Sequence, residues 1–165
     1  PEVRLRGRRI SSSLIRQLLN EGRINLARRM LGRPYGVEGV IVRGAQRGRT
    51  IGFPTANLHP HNRVIPRYGV YATATLVDNV WRRSITNIGI RPTFENEAEP
   101  SIETYIFDFD GDVYGDVLRV RFLYRIRDER KFSGIDELKA QIQKDTERAL
   151  NYFRHPGVRN MLEIL

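Results

Sequence analysis

The chain has 165 residues, 40% of them apolar, and no cysteine. That length supports one ordinary domain with its own core, and the missing cysteines exclude disulfide scaffolds, iron–sulfur clusters, thiolate zinc sites and cysteine nucleophiles. The formal charge of +9 sits in residues 1–50, where 12 arginines face 3 acids, whereas residues 51–165 balance 16 basic against 16 acidic side chains. A basic leading third is either a solvated face or an attractor of nucleic acid, an anionic surface or a phosphorylated ligand. No apolar run approaches the roughly 18 residues of a membrane span. The leading PEVRLRGRRI also lacks the apolar stretch of a secretory signal, so a cytoplasmic location is expected.

Ser11, Ser12 and Ser13 open the first predicted helix, because a serine oxygen accepts a free N–H of the first turn. Leu14, Ile15, Leu18 and Leu19 follow as an apolar stripe at helical spacing, and Gly22 can close the helix in the left-handed conformation. A second short helix covers 25–31 and stops at Gly32, ahead of Arg33-Pro34. A residue before proline is pushed out of the helical region, so a boundary is placed there and residues 1–34 are read as a short helical appendage.

From Val37 the period changes to two, and Val37 to Val42 is a predicted strand. Val70 to Val77 alternates, with Tyr71, Thr73, Thr75 and Val77 on one face and Val70, Ala72, Ala74 and Leu76 on the other. Asp78-Asn79 is a turn, and Val80 to Ile88 is its returning strand. Ile102 to Phe109 is a further strand, Asp110-Gly111 a hairpin turn, and Val113 to Ile126 a long strand with Leu118, Val120, Phe122, Tyr124 and Ile126 on one face. Many strands joined by short turns predict a mostly β chain, either an antiparallel sandwich or a small barrel whose closure removes exposed edges. Ser133 and Asp136 fit a capping box. Ile135, Leu138, Ile142, Ala149 and Phe153 then predict one amphipathic C-terminal helix packed on the barrel. Residues 155–165 carry no clear pattern.

Several motifs fail on spacing. Gly44-Ala45-Gln46-Arg47-Gly48-Arg49-Thr50 is one residue short of a Walker A loop and has arginine where lysine belongs. A glycine loop with arginines can still cradle phosphate through backbone N–H groups and guanidinium forks. Asp108 to Asp112 resembles the start of an EF-hand, but the sixth and twelfth positions are Val113 and Arg119, so calcium is rejected. His59-Pro60-His61 lacks a third nitrogen ligand nearby, which argues against zinc. In Gly52-Phe53-Pro54-Thr55-Ala56-Asn57-Leu58, an extended chain places Thr55 and Asn57 on one face with Ala56 pointing away. A hydroxyl and an amide suit magnesium, which keeps waters and substrate phosphates as the rest of its shell. From chemistry alone, a turn at a strand start explains that stretch better.

The string GRTIGFPTANL at 48–58 resembles the signature of riboflavin kinases, whose core is Pro-Thr-Ala-Asn. Gly39 to Gly44 resembles that family's strand and glycine loop, Tyr68 to Ala72 its next strand, and Asn87 to Phe94 its flap. Ser101-Ile102-Glu103-Thr104-Tyr105 with Asp112 to Gly115 is similar to the segment bearing the catalytic glutamate, and Arg127, Lys131 and Phe132 to the pattern before the final helix. A second resemblance covers Ile10 to Arg16, which looks like the end of the adenylyltransferase module in bacterial bifunctional FAD synthetases, with Ser13 as a departure. Leu31 to Tyr35 resembles the joint between the two modules, and the His-x-Gly-His of the adenylyltransferase is absent.

The resemblance implies a six-stranded antiparallel Greek-key barrel with a C-terminal helix at 35–165. It implies that 1–34 is a helical remnant of, or linker to, an adenylyltransferase module in a parent chain. The implied reaction moves the γ-phosphoryl of ATP to the ribityl 5′-hydroxyl of riboflavin, giving FMN and ADP, with no FAD made by this chain alone. By the same resemblance, Thr55 and Asn57 hold Mg2+ and the terminal phosphates, Gly44, Gly48 and Arg49 lie on the loop over the nucleotide, and Glu103 accepts the hydroxyl proton. Arg127 is placed on the flavin side, and Arg91 to Phe94 form a flap over the isoalloxazine. Taken on its own, Glu103 reads more readily as an ordinary exposed strand carboxylate, and Arg127 could pair with Asp128 or Glu129. The alternative class is a basic oligonucleotide-binding barrel with Tyr71, Tyr105, Phe107 and Tyr124 as stacking rings. The neutral charge beyond residue 50 and the order of the motifs argue against a nucleic-acid partner.

Overall fold

The computed structural model describes residues 4–5, 7–44, 50–91, 99–163 and 165. A two-residue ladder, β1 (Arg4–Leu5) with β2 (Arg8–Arg9), precedes helix α1 (Ser12–Asn20). Ser11 caps that helix, its hydroxyl accepting the Leu14 N–H at 3.2 Å. Helix α2 (Ile24–Leu31) ends at Gly32, which takes φ 71°. Ile15, Leu18, Leu19, Ile24, Ala27 and Met30 are buried in one apolar cluster with Val37 and Phe122, so both helices share the core of the sheet that follows.

That sheet contains β3 (Gly36–Val42), β4 (Ala56–Pro60), β5 (Gly69–Val77), β6 (Val80–Arg91), β7 (Glu99–Ile106) and β8 (Val117–Arg127). Its order is β3-β4-β7-β6-β5-β8, closed by β8 on β3, with every pair antiparallel. Three consecutive strands, β5 to β7, form a meander, and β8 returns beside β5, which is the Greek-key order. The β5–β6 hairpin turns on Asp78 and Asn79, whose φ values of 51° and 59° suit a type I′ turn.

The predicted alternation of β5 sorts inside from outside. Tyr71 and Val77 point into the barrel beside Leu58, Ile88, Ile102, Leu118, Val120 and Phe122, with Tyr71 and Phe122 edge to face at 5.2 Å. Ala72 and Ala74 point outward, beneath Phe153 and Ala149 of helix α3 (Ile135–Phe153). The interior also holds a chain of hydroxyls, Thr75–Ser84–Thr73–Thr86–Thr104, at 2.8 to 2.9 Å per link. Each hydroxyl of this chain therefore has a partner, as a dry interior requires.

Three expectations need correction, and one segment without a sequence pattern gains an assignment. The Asp110-Gly111 segment is not a hairpin: β7 stops at Ile106, β8 starts at Val117, and they pair with different neighbours, so 107–116 crosses the end of the barrel. The single alternation of β8 breaks after Phe122: Leu123 points outward under α3 as alternation requires, but a register irregularity there pairs Tyr124 with outward-facing Ala72 and leaves it on the surface, stacked on Tyr152 at 5.0 Å. The capping interaction of α3 uses Glu137 rather than Asp136. Its carboxylate accepts the Ser133 N–H and hydroxyl at 2.9 and 2.8 Å, and Gly134 is the N-cap. The tail left unassigned forms a further helix, α4 (Pro156–Glu163), whose Val158 joins the α3 contact layer.

Candidate active site

Pro54 interrupts pairing just before β4, and β4 then runs alongside β3 and β7. Ala56 packs on the core, so Thr55 and Asn57 share the opposite, outward phase. Both line a cavity of about 720 Å³ at this end of the barrel. One wall is the end of β3 with Arg43 and Gly44, and the other is the 107–116 crossing with Phe109, Asp110, Asp112 and Tyr114. Thr104, the last member of the hydroxyl chain, reaches the cavity floor. Arg43 lies 4.9 Å from the Tyr114 ring centroid, which holds a guanidinium beside the opening.

Gly44 touches Asn57 closely. A Cβ added there would fall 2.1 Å from Asn57 Nδ2 and 2.4 Å from its Oδ1. The amide therefore occupies a cradle that only glycine leaves open. A neutral hydroxyl and amide, with the Asp110 and Asp112 carboxylates across the cavity, form an all-oxygen donor set. That set fits a hard divalent cation completed by waters and phosphates, and it does not fit a soft metal.

Glu103 is the direct partner of Asn57 across β4–β7 and of Asn87 across β7–β6. Directly opposed side chains on one face lie about 5 Å apart at Cβ. The half-buried Glu103 carboxylate thus sits between two amides, at the edge of the cavity rather than within its lining, and accepts the Ser101 hydroxyl at 3.3 Å. Beyond Asn87, Glu129 leans over Gly89, its Oε1 2.1 Å from where a Cβ would stand. Burial pushes the Glu129 carboxyl above its ordinary range; the Ile90 N–H and Arg127 oppose that, and Glu103 adds to it. A second carboxylate therefore flanks Glu103 on the side away from the cavity.

The structure brings Gly44, Thr55, Asn57 and Glu103 together. Gly48, Arg49 and the flap residues from Pro92 to Phe94 lie outside the described residues, and Arg91 enters only as the last residue of β6. Arg127 is engaged elsewhere. Its Nε donates to both Asp145 oxygens at 2.9 and 3.1 Å, its second amino nitrogen pairs with the same carboxylate at 2.8 Å, and Phe132 lies beside it. That contact fastens β8 to α3 and shapes the loop bearing Glu129. The rings suggested for base stacking form no open platform: Tyr71 and Phe107 are buried, Tyr105 packs between Phe53 and Phe107, and Tyr124 lies on Tyr152. Sequence reasoning passed over Arg43, Asn87, Asp112 and Glu129. Their signals were adjacency to Gly44, to the flap segment, to the supposed hairpin turn and to Arg127.

The riboflavin kinase (flavokinase) family model matches residues 31–153. A bifunctional riboflavin kinase/FMN adenylyltransferase of Bacillus subtilis is 46% identical over 149 residues, covering 88% of this chain and 47% of its own length. A crystal structure described as a macrolide-efflux protein from Streptococcus pneumoniae superposes with a TM-score of 0.85 at 39% identity, covering 92% of this chain and 50% of that one. Riboflavin kinase from Trypanosoma brucei shares the fold, with a TM-score of 0.56 at 20% identity over 79% of this chain and 86% of its own. The chain spans about half the length of the curated relatives it matches. With the barrel order, the Pro-Thr-Ala-Asn cradle and a match over most of its length, the chain belongs to the riboflavin kinase family.

Proposed function

We propose that this chain transfers the γ-phosphoryl group of ATP to the ribityl 5′-hydroxyl of riboflavin, yielding FMN and ADP. One observation carries the reading: strand register sets Asn57, at the nucleotide-sized cavity, directly opposite Glu103. The phosphate end of one substrate and the hydroxyl of the other thereby meet on adjacent strands. Phosphoryl transfer proceeds through a loose transition state, so positioning and charge stabilisation supply most of the catalysis.

In this reading the 107–116 crossing and the end of β3 hold ATP, with Arg43 offering positive charge at the opening. Thr55 and Asn57 would hold Mg2+, which when bound offsets charge on the terminal phosphates. Gly44 keeps the Asn57 amide in place, and the Gly44–Thr50 loop, including Gly48 and Arg49, covers the nucleotide. Glu103 orients the 5′-hydroxyl and accepts its proton as oxygen bonds to the γ-phosphorus and the bond to the β–γ bridging oxygen breaks. Asn87 and Glu129 border the flavin side, with Arg127 acting through the loop it anchors and Arg91 at the base of the flap. Residues 1–34 link this barrel to an adenylyltransferase module in a longer chain, a reading supported by the bifunctional relatives.

The test is to incubate the protein with riboflavin, ATP and magnesium and to separate the flavins by chromatography. FMN that requires both ATP and magnesium, without FAD, is the expected result. Folded protein that makes no FMN would overturn the assignment, and FAD in the product would overturn the reading that adenylyl transfer lies outside these residues.

A further inference from the structure

We propose that the outer face of β3 and β8 carries a second anion site, built by Arg33, Arg119 and Arg121, that takes a small phosphate-class anion. Register pairs Gly36 with Arg121 and Glu38 with Arg119, so these side chains leave the barrel on one face. Arg33 joins them from the end of α2, and together they line a cleft of about 340 Å³. The cleft lies at the start of β3, whereas the nucleotide cavity lies at its end, roughly 20 Å away at about 3.3 Å per residue.

Among the described residues the charge in this cleft is only partly compensated. Three guanidinium groups face one lining carboxylate, Glu38, which is committed to the Nε of Arg119. Two positive charges therefore remain. Arg121 is held across the strand rather than extended to solvent: a Cβ on Gly36 would stand 2.8 Å from its Cδ and 2.9 Å from its Nη1. Burial lowers the Arg121 pKa, and repulsion from Arg33 and then Arg119 lowers it further, against the pull of Glu38. Guanidinium groups stay protonated regardless, so the direction reports burial first, and the Arg33 and Arg119 contributions record that the three cations lie close together. Planar guanidinium forks match tetrahedral oxyanions two bonds at a time. A phosphate group carries about two negative charges at neutral pH, which matches what the cleft lacks. Its size admits inorganic phosphate or pyrophosphate. A lone cleft of this kind is not the extended basic track that a nucleic acid strand needs.

The test is an amide and arginine Nε–H NMR titration of the whole protein with inorganic phosphate, and separately with pyrophosphate, at constant ionic strength. Saturable shifts at Gly36, Glu38 and Arg121 are expected, and the tighter of the two ligands identifies the chain length that fits. Arg33→Gln and Arg121→Gln should each weaken binding about tenfold or more, the cost of losing a charge-assisted contact. Arg33→Gln should leave FMN formation unchanged, which separates this site from the kinase reading. The proposal is overturned if chloride alone reproduces the shifts, if both glutamine variants bind as the parent does, or if only Val42 to Gly44 and Asn57 respond.

Discussion

Replacing Gly44 by alanine tests the proposed site through a single methyl group. Gly44 lies outside the positive-φ region, so alanine adds no backbone strain there. The new Cβ would nevertheless stand 2.1 Å from Asn57 Nδ2 and 2.2 Å from Cγ, where ordinary contact starts near 3.4 Å. The clashing group is the end of a short side chain, so rotation of Asn57 relieves the overlap at little cost to stability. The amide must nevertheless move by more than an ångström. A displacement of that size at a positioning group costs about 100-fold in rate. Thermal unfolding of the Gly44→Ala protein should stay within about 3 °C of the parent, since only one half-buried side-chain contact at the cavity changes. Turnover of riboflavin to FMN should fall about 100-fold, with a parallel loss of magnesium-dependent ATP affinity. Full turnover with parental nucleotide affinity would refute the reasoning, because the Asn57 amide could then not be holding phosphate or metal where the structure puts it.

Glu103→Ala should lower kcat by about 100-fold or more, the usual contribution of a positioned base, and leave ATP binding near parental in a calorimetric titration; unchanged turnover would remove Glu103 from the reaction. Asp145→Ala strips the partner from Arg127 and from Gln141 Nε2, which donates to it at 2.9 Å. Breaking so buried a pair should cost about 3 kcal/mol in urea unfolding, and a loss below about 1 kcal/mol would show that the contact is surface-like. The Ser133 donors hold the Glu137 carboxyl below its ordinary value of 4.5. A depressed carboxylate pKa stabilises the fold above the unfolded value and ceases to do so as pH falls through the folded one. The unfolding temperatures of parent and Glu137→Gln should therefore differ at about pH 6 and converge as pH falls through the lowered pKa of the folded carboxyl; a gap that persists once that carboxyl is protonated would refute the carboxylate as its source.

Where a pattern is local, the sequence was a sufficient guide. The serine cap of α1, the Asp78-Asn79 turn and the inside–outside alternation of β5 all depend on neighbours within a few residues, and each stands in the fold as predicted. Resemblance at Pro54 to Asn57 and at Ser101 to Tyr105 singles out the residues of the proposed site. What it could not supply was the pairing. Asn57 and Glu103 are 46 positions apart in the chain and become neighbours only because β7 returns between β4 and β6. Asp110-Gly111 carries the composition of a hairpin turn, yet the strands it joins find lower-energy partners elsewhere in a closed sheet, so the same residues become a cavity wall. Arg127 looks from its sequence neighbours like a free cation or a surface pair. The decisive partner, Asp145, comes from a helix packed over the barrel.

Local chemistry and motif order thus determined the fold class, the element types and the residues worth suspecting. Closure of the barrel decided which of them touch, because sheet register and helix docking are set by burying the whole apolar surface at once. No window of sequence contains that sum.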